Sequence, residues 1–423
     1  MASFVLKGHI CHSVDRDHLV IRENHYVVCV DDRCAGVYPI LPAKYRGLPL
    51  QDYGDRMIVP GMIDLHIHAP QFAYRGLGMD MELLEWLNQH TFPEESKYGD
   101  MDYAEVAYSQ FVNHLRRSET TRAVVFATIH APATEMLMEK LDQSGLISYV
   151  GKVNMNRHSP MYLVEASTLE ALRNTRTWLE HTAGKWERTK PILTPRFIPS
   201  CTDDLLYRLS DLRKEFNIPV QSHLSENLSE IEWVKELVPT ARNYGDAYRK
   251  FGLFGGDHKC VMAHCVYSDV LEMEYMRQND VFVAHSPESN INLTSGVAPV
   301  NKFLDYGVKV GLATDVAAGS HESIFKAMTH AIQASKLRWR LLDQSVKPLT
   351  FDTAFYLATR GGGEFFGKVG AFDPGYEFDA VVLDDTSLDH PQPLTVRERL
   401  ERFAYLADDR NLHAKYAAGR KVF

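Results

Sequence analysis

Short, almost wholly apolar runs recur between longer segments of helical pattern through the middle of this chain. They begin with Met62-Ile63-Asp64-Leu65-His66-Ile67-His68 and continue with Ala123-Val124-Val125-Phe126, Ile147-Ser148-Tyr149-Val150, Pro191-Ile192-Leu193-Thr194 and Val220-Gln221-Ser222-His223. Cys260-Val261-Met262-Ala263-His264, Val281-Phe282-Val283-Ala284-His285 and Val308-Lys309-Val310-Gly311-Leu312 complete the series. Runs of this kind read as strands buried on both faces, and strands alternating with helices read as βαβ units around a mostly parallel sheet. Eight such strands predict a (β/α)8 TIM-like barrel, with a doubly wound open sheet as the structural alternative.

The two ends have a different character. Phe4-Val5-Leu6 and His25-Tyr26-Val27-Val28-Cys29-Val30 are separated by charged turns, and Phe378-Asp379-Ala380-Val381-Val382-Leu383 and Gly419-Arg420-Lys421-Val422-Phe423 repeat that character at the far end. They predict one small β-sandwich assembled from residues 1–58 and 373–423, with the barrel over residues 59–372. A length of 423 residues accommodates both, since a barrel takes typically about 250. The mixed-sign stretch Val396-Arg397-Glu398-Arg399-Leu400-Glu401-Arg402 reads as a solvated helix face with no chemistry.

Composition narrows the partners. With 45% hydrophobic and 24% charged residues the chain can bury a large core, and a net charge of -9 gives no general attraction for nucleic acid. A small molecule is the expected partner. Six cysteines, none in a Cys-x-x-Cys pair, are too sparse for a disulfide scaffold and fit a reducing cytosol. Neither an apolar leader region nor an apolar stretch of some 18 residues is found, so a cytoplasmic protein without membrane partners is expected.

Several of the predicted strands end in residues that bind metals or move protons. In a strand alternate side chains share a face, so His66 and His68 point the same way and form half of a metal site. His223 closes the fifth strand and Glu226 follows it, a ligand beside a proton carrier. Asp315, after the eighth strand, can complete a metal shell or deprotonate its water. His264 ends the sixth strand, placed to orient water or substrate, and His285 ends the seventh with a role left between loop structure and support of the site. Each also has a plain structural use: a buried histidine, a helix-capping glutamate, an N-capping aspartate.

The ordered set goes further. His66-Ile67-His68 with Ala69-Pro70-Gln71, Leu84-Glu85-Trp86-Leu87, Thr91-Phe92-Pro93-Glu94-Glu95, Pro195-Arg196-Phe197, Ser222-His223-Leu224-Ser225-Glu226-Asn227, Met262-Ala263-His264 and Gly311-Leu312-Ala313-Thr314-Asp315-Val316 resembles the amidohydrolase superfamily over nearly the whole chain. Within it, the chain is similar to the branch that deaminates guanine. The resemblance implies one zinc ion per chain on His66, His68, His223 and Asp315, although the same ligand types suit Fe2+. It implies Glu226 as the proton shuttle and His264 beside Asp315 at the reacting centre. Gln71, Arg196 and Phe197 would recognise the purine by amide, guanidinium and ring stacking, with Trp86 as a further wall. It also implies hydrolysis of guanine to xanthine and ammonia by a homodimer.

Ser286 stands where the strand-seven motif often has cysteine, and Cys265 and Ala318 replace commonly seen glycines. None of these removes a ligand. The competing readings are a related aminohydrolase or chlorohydrolase acting on a pterin, triazine, cytosine or modified purine, and an inactive barrel serving as a partner-binding scaffold. The other zinc deaminase architecture needs a Pro-Cys-x-x-Cys motif, which is absent.

Overall fold

The computed structural model describes residues 1–423. At the start of the chain stand β1 (Phe4–Asp15), β2 (His18–Val30), β3 (Arg33–Tyr38) and β4 (Leu50–Pro60). The central strands are β5 (Met62–His68), β6 (Thr120–Phe126), β7 (Ile147–Gly151), β8 (Val153–Asn154), β9 (Thr189–Pro191), β10 (Thr194–Pro195), β11 (Val220–Leu224), β12 (Cys260–His264), β13 (Val281–His285) and β14 (Lys309–Leu312). Near the end lie β15 (Ala380–Leu383), β16 (Leu412–Ala417) and β17 (Arg420–Lys421).

All eight apolar runs lie on strands, with one difference. The fourth is divided into β9, which pairs with β7, and β10, which pairs with β8. Pro191 and Pro195 supply no backbone N–H, so an unbroken ladder cannot run through them.

Strands β5-β6-β7-β9 form one four-stranded parallel sheet and β11-β12-β13-β14 another. A parallel bridge between Leu193 and Val220 joins them on one side. On the other, Asp315 N donates to His66 O (2.9 Å) and His68 N to Val316 O (3.1 Å). The ladder thus returns to its start, an α/β arrangement of TIM-barrel type. Ile63, Leu65, Val124, Val261, Phe282 and Ala313 meet in one cluster although their strands are not all neighbours, so they fill the space inside the ring. A larger cluster, including Val125, Leu141, Leu209, Val283 and Met328, packs strands against the surrounding helices.

Leu65 and Ile67, two positions apart on β5, do not share a face. The pairing of β5 with β6 slips between Asp64 and Ile67, so Leu65 joins the inner cluster while Ile67 joins the outer one. A one-residue slip changes which face a side chain takes. Buried Asp64 sits at that slip, accepting from His66 N (3.1 Å) and from Thr314 N (3.1 Å).

Both chain ends meet in one seven-stranded sheet, ordered β17-β16-β15-β4-β1-β2-β3. Only β1 and β4 pair in parallel. Leu6, Ile10, Val27, Ile58, Phe378, Val382 and Tyr416 give it a core of its own. The charged stretch lies on the helix Val396–Leu406, whose buried seam is Val396, Leu400, Phe403 and Ala404, but it is not a simple solvated face: Arg399 is largely covered and pairs with Asp385 at 2.7 Å, and Arg397 pairs with Asp352 at 2.5 Å. All six cysteines are buried and unpaired. No helix is long and apolar enough to cross a membrane.

Candidate active site

Four of the predicted ligands converge where β5, β11 and β14 end. His66 Nε2 lies 3.1 Å from His68 Nε2 and 3.1 Å from Asp315 Oδ1; His68 Nε2 is 3.4 Å from that oxygen and 3.3 Å from His223 Nε2. His223 Nδ1 donates to Arg196 O at 2.7 Å, so its Nε2 carries the lone pair that faces the cluster. Burial first, and neighbouring basic side chains second, hold His66, His68 and His223 well below the ordinary imidazole range. They are neutral donors, the form a metal requires.

The donor set fits a zinc-sized ion. Bonds of about 2.0–2.1 Å to four tetrahedral ligands separate those ligands by about 3.3 Å; His66, His68 and Asp315 stand at that spacing from one another, and His223 stands at it from His68. Three imidazole nitrogens and a carboxylate oxygen, those of His66, His68 and Asp315 on nearly fully buried side chains, are donor types that zinc takes. His66, His223 and His264 form a second group of three with the same convergence.

His264 differs in its surroundings. Its Nδ1 lies 2.9 Å from Asn290 Oδ1, and its Nε2 faces Glu226 Oε2 (3.4 Å) and Asp315 Oδ2 (3.8 Å). Burial and then the nearby Asp315 carboxylate push Glu226 up to about 8, against an opposing hydrogen bond from Ser295. Burial likewise raises Asp315. A carboxyl protonated near neutrality beside a group that receives protons is an acid–base pair. The backbone here is unusual: His264, Cys265 and Asp315 have φ of 74°, 52° and 49°. This left-handed region explains why glycine suits position 265, and backbone strain of this kind clusters at functional sites.

His68, Gln71, Trp86, Arg196, Phe197, His223, Glu226, His264 and Asp315 line a single cavity; His66 is not in its lining. Gln71 Nε2 donates to Glu95 Oε1 (3.0 Å), and its Oε1 accepts from Ala317 N (3.3 Å). Arg196 Nη1 donates to Glu95 Oε2 at 2.6 Å. Trp86 satisfies its indole N–H on Leu77 O (3.1 Å) and packs on Tyr74, so it offers the cavity only an apolar wall. Ala318 is also in the lining. His285 is buried but not in the lining, and burial lowers it to about 3. A larger polar groove of about 600 Å³, bordered by Arg116, Lys140, Arg188 and Arg420, lies elsewhere and holds none of these groups.

Sequence reasoning alone assigns no role to Asp64, Glu95, Glu230, Asn290 or Ser295. Asp64 had a signal, a carboxylate in an otherwise apolar strand. Glu230 lines the cavity and accepts from Glu226 N (3.2 Å) while capping the helix Leu228–Leu237. For Asn290 and Ser295 no local pattern points to the contacts they make.

Residues 57–422 match the family model described as "Amidohydrolase family". A guanine deaminase of Dictyostelium discoideum is 35% identical over 446 aligned positions, covering 99% of this chain and 98% of its own. One from Escherichia coli K12 is 34% identical, covering 88% of this chain and 84% of its own. Among solved structures, guanine deaminase from C. acetobutylicum with guanine bound in its active site is 44% identical, with TM-score 0.96 and full coverage of both chains. Family model and full-length relatives agree: this chain belongs to the amidohydrolase family, on the branch of the guanine deaminases.

Proposed function

We propose that this protein hydrolyses guanine to xanthine and ammonia. The observation that carries the reading is the cavity in which Gln71, Arg196 and Phe197 share walls with the His68, His223 and Asp315 cluster. A ring-reading wall beside a metal-type centre suits amine removal from a heterocycle. Full-length likeness to guanine deaminases supports guanine as that heterocycle.

His66, His68, His223 and Asp315 would hold one zinc ion. When bound, zinc supplies Lewis acidity that brings a water towards hydroxide at a pKa of about 7. The residues do the rest. Arg196 and Gln71 fix the purine edge, and Phe197 stacks on its face. Asp315, assisted by His264, orients the attacking water and receives its proton. Glu226, protonated near neutrality, gives a proton to the ring nitrogen next to C2, making that carbon electrophilic. Water oxygen then bonds to C2; Glu226, ionised by its first transfer, takes the remaining proton of the new C2 hydroxyl and passes it to the exocyclic amine, so that ammonia leaves as the C–N bond breaks, and the proton held by Asp315 passes back to Glu226. One water is consumed, and xanthine and ammonia are the products.

The architecture is read in parallel terms: residues 59–372 as the (β/α)8 barrel, and residues 1–58 and 373–423 as one β-sandwich with a flanking helix. The separate apolar core of the terminal sheet supports that division. A homodimer and a cytoplasmic location belong to the same proposal; the six unpaired thiols suit a reducing compartment.

The test follows ammonia release and the purine ultraviolet spectrum on metal-quantified protein given guanine, 8-oxoguanine, cytosine, pterins and triazines. Guanine is expected to turn over fastest. A zinc-loaded protein inert to guanine but active on another amine would move the chain to that substrate.

A further inference from the structure

Glu95 is the buried carboxylate that touches both proposed base-reading side chains. It lies in the short helix Phe92–Ser96 and is 1% exposed. One oxygen accepts from Gln71 and the other from Arg196, joining the segment after β5 to the segment after β10. Two consequences follow for the cavity.

The first concerns Gln71. With its NH2 turned to Glu95 and its oxygen accepting from Ala317 N, the amide has one orientation. It therefore shows a ligand one N–H and one oxygen lone pair in set positions. The second concerns charge. The Arg196 guanidinium is nearly fully buried and pairs with no carboxylate except Glu95. The two charges cancel within the wall, while the remaining guanidinium N–H groups stay free for a ring carbonyl.

We infer that Glu95 is a positioning residue that sets substrate preference: it aligns Gln71 and Arg196 for a neutral purine edge and cancels the charge that would otherwise favour an anionic ligand. Glu95 acts through those two side chains. The inference rests on the guanine reading and specifies how its site selects.

Glu95→Gln keeps the shape and an acceptor for Gln71 but removes the charge. At equal metal content KM for guanine should rise about ten- to hundredfold, the worth of a charge-assisted hydrogen bond, with a smaller fall in kcat. Xanthine, the more acidic purine, should inhibit the variant more strongly relative to guanine as pH rises. An unchanged KM, a loss confined to kcat, or xanthine inhibition that does not strengthen overturns the inference. Should Glu95→Gln not fold, the comparison is Glu95→Gln/Arg196→Met against Arg196→Met alone. Equal KM in that pair supports action through Arg196, and a further tenfold rise overturns it. If the parent protein leaves guanine untouched, the function proposal fails; the KM and kcat split is then read on the amine it does release.

Discussion

His223 and Glu226 stand three positions apart in the chain yet are predicted to fail in different ways. Glu226→Gln removes an acid while keeping its volume, so turnover should fall by about 10²- to 10⁴-fold with metal content unchanged. Near-normal turnover would reject the shuttle role. His223→Ala deletes a donor from the cluster, and elemental analysis should find less zinc per chain. Full occupancy in that variant would remove His223 from the ligand set. The residues behind both predictions were legible because His223 stands at the end of an apolar strand with Glu226 just beyond it, and both carry the chemistry of a metal or proton site. Glu95, Asn290 and Ser295 were not. Their partners, Gln71 and Arg196, His264, and Glu226, come from distant segments that only the fold brings near.

Elements were legible where burial is two-sided. β12 and β13 are apolar runs up to their closing histidines because both faces are covered, as is the Ala123–Phe126 half of β6, and their ends fall within a few residues of those expected from sequence. β4 and β16 escaped notice, since Leu50-Gln51-Asp52-Tyr53-Gly54-Asp55-Arg56 is largely exposed and polar before β4 enters the core. β16 carries a further feature that no periodicity reveals. Its fully buried Lys415 donates to Leu115 O, Ser118 O and Thr120 O at 3.3, 2.7 and 2.9 Å, closing the end of the helix Met101–Arg117. Burial pushes this amine down to about 7, while three accepting carbonyls match the three N–H groups of the ammonium form. Lys415→Met should leave those carbonyls without a donor and cost roughly 1–3 kcal/mol, seen as a lower urea midpoint at unchanged slope. A midpoint equal to the parent's would show that the helix end is satisfied some other way.

Across the whole molecule, the terminal sheet and the parallel strands are coupled by buried polar contacts as well as apolar packing. Arg122 on β6 reaches Asp379 with Nε to Oδ2 at 2.7 Å and Nη2 to Oδ1 at 3.0 Å, and Asp379 also accepts from Ala418 N at 2.7 Å. Stability should therefore respond as one unit to changes made in the terminal sheet. His12 on β1 offers a way to measure this. It packs on Phe372, its Nδ1 has no partner, and burial lowers it to about 4, opposed by Asp373 and aided by Arg360 and Arg22. The folded state thus keeps His12 neutral down to about pH 4, whereas the unfolded chain protonates it near 6.5. Between those values the unfolded state binds the extra proton, so this contribution is complete above about pH 6.5 and is lost as pH falls towards 4. Each tenfold difference in proton affinity between the two states is worth about 1.4 kcal/mol, so the loss approaches about 3 kcal/mol. Glu230, raised to about 8 by burial, slopes the other way, and the ligand histidines add acid sensitivity of their own. Those groups remain in a His12→Leu variant and cancel in the comparison. Denaturant melts from pH 7 to pH 4 should show the parent losing about 3 kcal/mol more than His12→Leu, while parallel curves would show that His12 finds a proton-accepting partner in the folded state.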